Sequence, residues 1–162
     1  MAGISFKMDF FKANQVLGRA VSKIANRQQL SETLGEQLVS STIRRFEDES
    51  GPDGKTWKKS GRADAQGGQT LSDSGRLKSS VNYEASPAAV AVGTNAEYAA
   101  IHQFGGEIRP KSAKALQFKV PGGGFRKVKK VTMPARPYIG INQDDIDEAR
   151  QTIAGFLSGG FK

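Results

Sequence analysis

Cysteine is absent from the chain, and histidine and tryptophan each occur once. The missing thiols exclude disulfides, thiolate metal sites and cysteine nucleophiles, and they agree with a reducing compartment. With His102 alone, a metal centre would have to be built from carboxylates around it, and no HxxxH or HxxE spacing is present. A serine elbow of the GxSxG type is missing as well, and Ser72 and Ser74 flank Asp73 in an ordinary turn composition. His102 therefore reads as a packing or hydrogen-bonding residue, and no catalytic, metal or cofactor-binding residues are expected. No apolar run is long enough to span a bilayer, and the opening MAGISFKMDFF lacks the basic-then-apolar order of a signal peptide. A soluble protein made in a cytoplasm, with no membrane partner, is the expectation. Apolar residues make up 37% of the 162 positions, low for a compact globule but above a disordered composition. One domain over residues 1–162, with a modest core and long polar segments, follows.

What the chain does have is positive charge, with a formal net value of +8. From Ile108 to Gln143 there is no acid, while Lys119, Arg126, Lys127, Lys129 and Lys130 are among the bases there. Acids gather instead in Glu47–Asp53 and Asp144–Glu148. One surface of each sign suits head-to-tail self-association as well as contact with DNA.

Apolar periodicity predicts a first helix from about Phe10 to Ile24 and a second from an N-cap at Ser31 to about Glu49. Leu34, Leu38, Val39, Ile43 and Phe46 share the stripe of the second, and Gly51-Pro52-Asp53-Gly54 ends it in a turn. Residues of about 60–70, including GRADAQGGQ, read as a flexible polar loop. Alternation marks strands at Val81–Tyr83, Val90–Val92 and Leu116–Val120, with a fourth from Phe125 to Met133 after Pro121-Gly122-Gly123-Gly124. The last two strands form a basic hairpin over about 114–133. Asn142 caps a closing helix with Asp144 and Asp145 in its first turn and a stripe of Ile146, Ala149, Ile153, Phe156 and Leu157, followed by Gly159-Gly160. The sum is an α+β domain: an antiparallel sheet of about four strands, two N-terminal helices and one C-terminal helix.

Gly54-Lys55-Thr56 ends like a phosphate-binding loop, but Glu49 stands where the motif needs glycine and a helix precedes instead of a strand. A turn exposing Lys55 is expected. Trp57 either covers the end of the second helix or anchors an interface. The hairpin lacks interleaved aromatics and no helix-turn-helix pattern occurs, so base reading is not expected. Contact with phosphate backbone or an acidic protein surface stays open, beside a solvated charged face. Arg136, between two prolines that fix an extended approach, is expected to fork onto a carboxylate or backbone carbonyls.

Several blocks taken in order resemble the phage virion morphogenesis family, the tail-completion proteins of Mu-like phages. They are Phe46-Glu47, Gly51–Trp57 (GPDGKTW), Leu71–Leu77 (LSDSGRL), Val92–Asn95 (VGTN), Tyr98–Gly106 (YAAIHQFGG) and Pro134–Tyr138 (PARPY). The resemblance implies a non-enzymatic virion protein at the head-proximal end of the tail, where a finished tail joins a filled head. It also implies a ring homo-oligomer, commonly a hexamer, around the DNA channel, with tail terminator, tail tube and head-neck connector proteins as neighbours. In that setting Trp57, Lys119, Arg126, Lys127, Lys129 and Lys130 are candidate interface or DNA-channel contacts. A tail terminator or other minor tail or neck component, and a basic accessory protein binding DNA non-specifically, are the alternative readings.

Overall fold

In the computed structural model, residues 4–9, 27–120 and 123–158 are described. The expected first helix at Phe10–Ile24, the first half of the Pro121–Gly124 turn and Gly159-Gly160 lie outside them.

Three strands build the central sheet: β1 (Ile4–Asp9), β2 (Val81–Ser86) and β3 (Ala89–Thr94), in the order β1-β3-β2. All pairings are antiparallel, with Tyr83 and Phe6 both opposite Val92. Alternation along β3 buries Val90, Val92 and Thr94, which is the period-2 pattern of a sheet covered on one face. The cover is α1 (Arg27–Glu47), which packs across β2 and β3. Its buried positions include Leu30, Leu34, Leu38, Thr42 and Phe46, a line at helical spacing. Gly35 belongs to this line because a Cβ there would lie 2.3 Å from the ring of Tyr83. Ser31 is not the N-cap. It is buried one turn inside the helix, since the helix extends back to Arg27 and burial outweighs the local capping signal.

The polar segment expected as a loop contains a helical turn, α2 (Gly61–Gln66), which Ser60 caps by accepting from the Ala63 amide and Gly67 ends at φ 72°. Ala63 is fully buried beneath it, so one small apolar residue is enough to dock a segment without visible periodicity. After α3 (Arg76–Ser79), β2 and β3 comes α4 (Ala99–Phe104). The remaining strands are β4 (Gly106–Ile108), β5 (Leu116–Lys119), β6 (Phe125–Val128) and β7 (Val131–Met133). They form two further two-stranded sheets, β4-β7 and β5-β6. The expected fourth strand is thus split. Its first half pairs back on β5, and its second half leaves to pair with β4. The α+β class holds, with the strands divided among three small antiparallel sheets among the described residues.

The closing helix α5 (Gln143–Leu157) has a capping box: the Asn142 side chain accepts from the Asp145 amide and the Asp145 carboxylate accepts from the Asn142 amide. Ala149 of the expected stripe is buried and Ile153 and Phe156 pack against the core, whereas Leu157 is exposed; Asp145 and Thr152 are buried beside them. Polar anchoring accounts for the two buried polar residues. Asp145 pairs with Arg45 of α1, and the Gln37 amide donates to the Thr152 hydroxyl at 2.8 Å.

Candidate functional site

The extended segment from Pro134 to Gly140 is the strap on which the rest of the molecule closes. Trp57 Nε1 donates to the Pro137 carbonyl at 2.9 Å, and Arg45 Nη1 donates to the carbonyls of Tyr138 and Gly140. The Gln103 side chain takes three strap groups, accepting from the amides of Tyr138 and Ile139 and donating to the Ile139 carbonyl. A buried amide that satisfies three backbone groups fixes one register of the strap against α4. Tyr138 is fully buried against Phe46, which meets Trp57 edge-on at 5.7 Å. Burial raises the Tyr138 phenol well above its ordinary pKa. At the end of α4, Gly105 has φ 70°, and a Cβ there would lie 2.7 Å from the Ala135 amide nitrogen. The first glycine of the pair is the condition for α4 and the strap to meet.

Trp57 is therefore a core residue, covering Phe46 and the strap, and is not displayed on a surface. The turn before it behaves as its composition predicts. Gly54 takes φ 73°, Ser50 bridges to Thr56, and Lys55 is exposed with its ammonium 2.9 Å from Asp53. The buried side of α4 is not its most apolar one. Ala99 and Gln103 are buried, while Phe104 is 69% exposed. Neither Gln103 nor the buried Arg45–Asp145 pair is legible from apolar periodicity, which passes over polar residues on a buried line.

Beside the strap lies an open cleft of about 370 Å³ whose walls come from Leu71, Leu77, Tyr98, His102, Met133 and Arg136. The Arg136 side chain is buried, and its Nε donates to the Lys58 carbonyl at 2.7 Å. Of the two partners expected for it, the structure supplies the carbonyl. Among the described residues no carboxylate pairs with it. Burial lowers the Arg136 pKa, and burial followed by the nearby guanidinium lowers that of His102. Among the described residues His102 Nδ1 is buried without a hydrogen-bond partner, and its ring meets Tyr98 edge-on at 5.9 Å.

The basic hairpin β5-β6 is exposed on both faces. Its register puts Leu116, Phe118, Arg126 and Val128 on one side and Gln117, Lys119, Phe125 and Lys127 on the other. Phe125 is 70% exposed and Phe118 is 39% exposed. The hairpin thus does carry displayed aromatics. Lys119, Arg126, Lys127 and Lys129 take no carboxylate among the described residues, whereas Lys130 and Arg109 are both tied to Glu107, at 2.6 and 2.7 Å. Those two bonds, Lys130 first, hold the Glu107 carboxyl below its ordinary pKa.

Acids collect elsewhere, where the C-terminal end of α1 meets the N-terminal end of α5. A cleft there is edged by Asp48, Asp144, Asp147 and Glu148, with the buried Arg45–Asp145 pair in its wall. Glu148 stands 3.6 Å from Arg44 and Asp147 2.8 Å from Arg150, both largely exposed pairs that contribute little.

A sheet covered by helices, a strap bonded into the core and a displayed basic arm are the main features of the described fold. The chain belongs to the phage virion morphogenesis family, whose model matches residues 8–158. Over 141 residues it is 32% identical to the Mu-like prophage FluMu G protein 2 of Haemophilus influenzae, covering 87% of this chain and 86% of that one. No solved structure matches it.

Proposed function

We propose that this protein is a non-enzymatic structural component of the virion, completing the head-proximal end of a phage tail and enabling the tail to join the head. It works as a ring around the DNA channel, next to tail terminator, tail tube and connector proteins. The observation that carries this reading is the hairpin β5-β6. A two-stranded unit exposed on both faces is marginal by itself, so its residues gain most of their stability from what they dock against. Its unpaired Lys119 and Lys127 beside exposed Phe125 match the chemistry of the α1–α5 cleft, with its excess of carboxylates. Two different patches on one chain that fit each other make a heterologous contact, which closes into a ring when the rotation allows.

The purified protein, alone or with its neighbouring tail component, is expected to form a closed oligomer by light scattering, weakened by salt. Lys119→Glu with Lys127→Glu disperses it, and adding Asp147→Lys and Glu148→Lys restores it in part. A strict monomer across micromolar concentrations, both alone and with the partner, overturns the ring. In phage, loss of the protein leaves filled heads and complete-looking tails that do not join. Tight, salt-sensitive binding of free duplex DNA by a monomer points instead to the accessory DNA-binding role.

A further inference from the structure

We infer that the cleft beside the strap is a binding site for a single carboxylate presented by a protein partner, with Arg136 as its anchor. Three observations converge there. The Arg136 side chain is buried, only 3% of the residue being exposed, yet among the described residues its only side-chain hydrogen bond is the one from Nε to the Lys58 carbonyl. Its two terminal nitrogens have no partner there and are not among the buried orphan atoms, so they remain open to the cleft, where a guanidinium without a counter-charge is free to take an anion. His102, on the same wall, has a buried Nδ1 with no partner. Arg76, exposed and without a carboxylate among the described residues, also lines the cleft and adds a second positive charge.

The walls select the kind of anion. Leu71, Leu77 and Met133 offer apolar contact to the methylenes of an acidic side chain or a short peptide. Asp73 also lines the cleft. It is largely exposed and held at 3.5 Å by Arg62, and it opposes the approach of a polyanionic phosphate backbone. A planar carboxylate matches the two free nitrogens of one guanidinium in a fork, which is the geometry that favours arginine over lysine. The site stands on Arg136 and its surroundings alone, so a protein that proves monomeric leaves it intact.

Because His102 is the only histidine, its ring resonances identify themselves and report on the cleft directly. N-acetylglutamate amide is titrated into the whole protein at constant ionic strength, with N-acetylglutamine amide and inorganic phosphate as the other arms. The glutamate probe moves the His102 signals saturably and its uncharged isostere does not. Arg76→Gln, an exposed change, weakens that response by about tenfold, the value of one lost charge-assisted bond. Arg136→Gln abolishes it, provided circular dichroism shows the variant folded; Arg76→Gln carries the test if it is not. Equal responses to glutamate and glutamine probes overturn the site, as does an unchanged titration in Arg76→Gln. A response to phosphate alone overturns the assignment to a protein carboxylate.

Discussion

His102 has a half-buried ring with Nδ1 shut away from solvent, Tyr98 against one edge and the Arg136 guanidinium nearby. Desolvation first, and the guanidinium second, disfavour its protonated form. Its folded pKa then lies below the ordinary 6.5, so the unfolded chain binds the proton more readily. The sign follows: neutral His102 supports the fold above about 6.5, and that support is lost as pH falls from there through the folded value. A ring titration by NMR should give a midpoint under 6.5, and Arg136→Gln should move it upward. A midpoint at or above 6.5 in the native protein contradicts the described surroundings. The second charge to consider is Arg45, 5% exposed, whose pair with Asp145 also engages Ser41 and the strap carbonyls. Arg45→Ala removes the counter-charge of a buried carboxylate and should lower stability by about 3–5 kcal/mol in urea unfolding. A loss under about 1 kcal/mol would mean that water replaces the guanidinium freely.

Among the elements, those with strong local signals were legible in advance. The α5 cap is one: Asn142 and Asp145 exchange both bonds of a capping box. Asn142→Ala should cost about 1 kcal/mol in thermal or urea unfolding, and a neutral result would show that the Arg45–Asp145 pair alone fixes the start of the helix. The β2-β3 hairpin was legible too, because Val81, Val90 and Val92 alternate and Pro87 sits between. What failed did so for physical reasons. Ser31 looked like a cap because hydroxyls favour helix ends, but the core claims it. The run from Phe125 to Met133 reads as one strand, since sequence alternation does not say where a strand changes partner; β6 serves β5 and β7 serves β4. The α2 turn rests on one buried alanine and one capping serine, too little for any periodic pattern. The buried side of α4 carries no apolar signal, because it centres on Gln103, a polar residue satisfied by strap backbone. The cleft around Arg136 was not legible, since Leu71–Leu77, Tyr98–Gly106 and Pro134–Tyr138 are brought together only by the fold.

For the whole molecule, charge is divided between a displayed arm and a recessed cleft. Among the described residues the arm carries Lys119, Lys127 and Lys129 without carboxylate partners, and the α1–α5 cleft carries carboxylates in excess. The chain itself belongs to the virion morphogenesis family. If the arm of one copy docks in the cleft of the next, association speeds up at low salt and slows as the Debye length shrinks. Stopped-flow mixing at two ionic strengths measures this, and rates indifferent to salt would detach the charge pattern from assembly.

The strap also has a mechanical meaning. The chain leaves α4, runs out through β4 to the hairpin, returns by β7 and re-enters the core along Pro134–Gly140. Any pull on the hairpin therefore reaches the core through Gly105 at one end and the strap at the other. The bonds from Gln103, Arg45 and Trp57 grip that strap from Pro137 to Gly140. Gly105 and Ala135 lie in close contact, so the two ends are stitched together where tension would spread them. The tether thus returns any load on the hairpin to the core at two adjoining points.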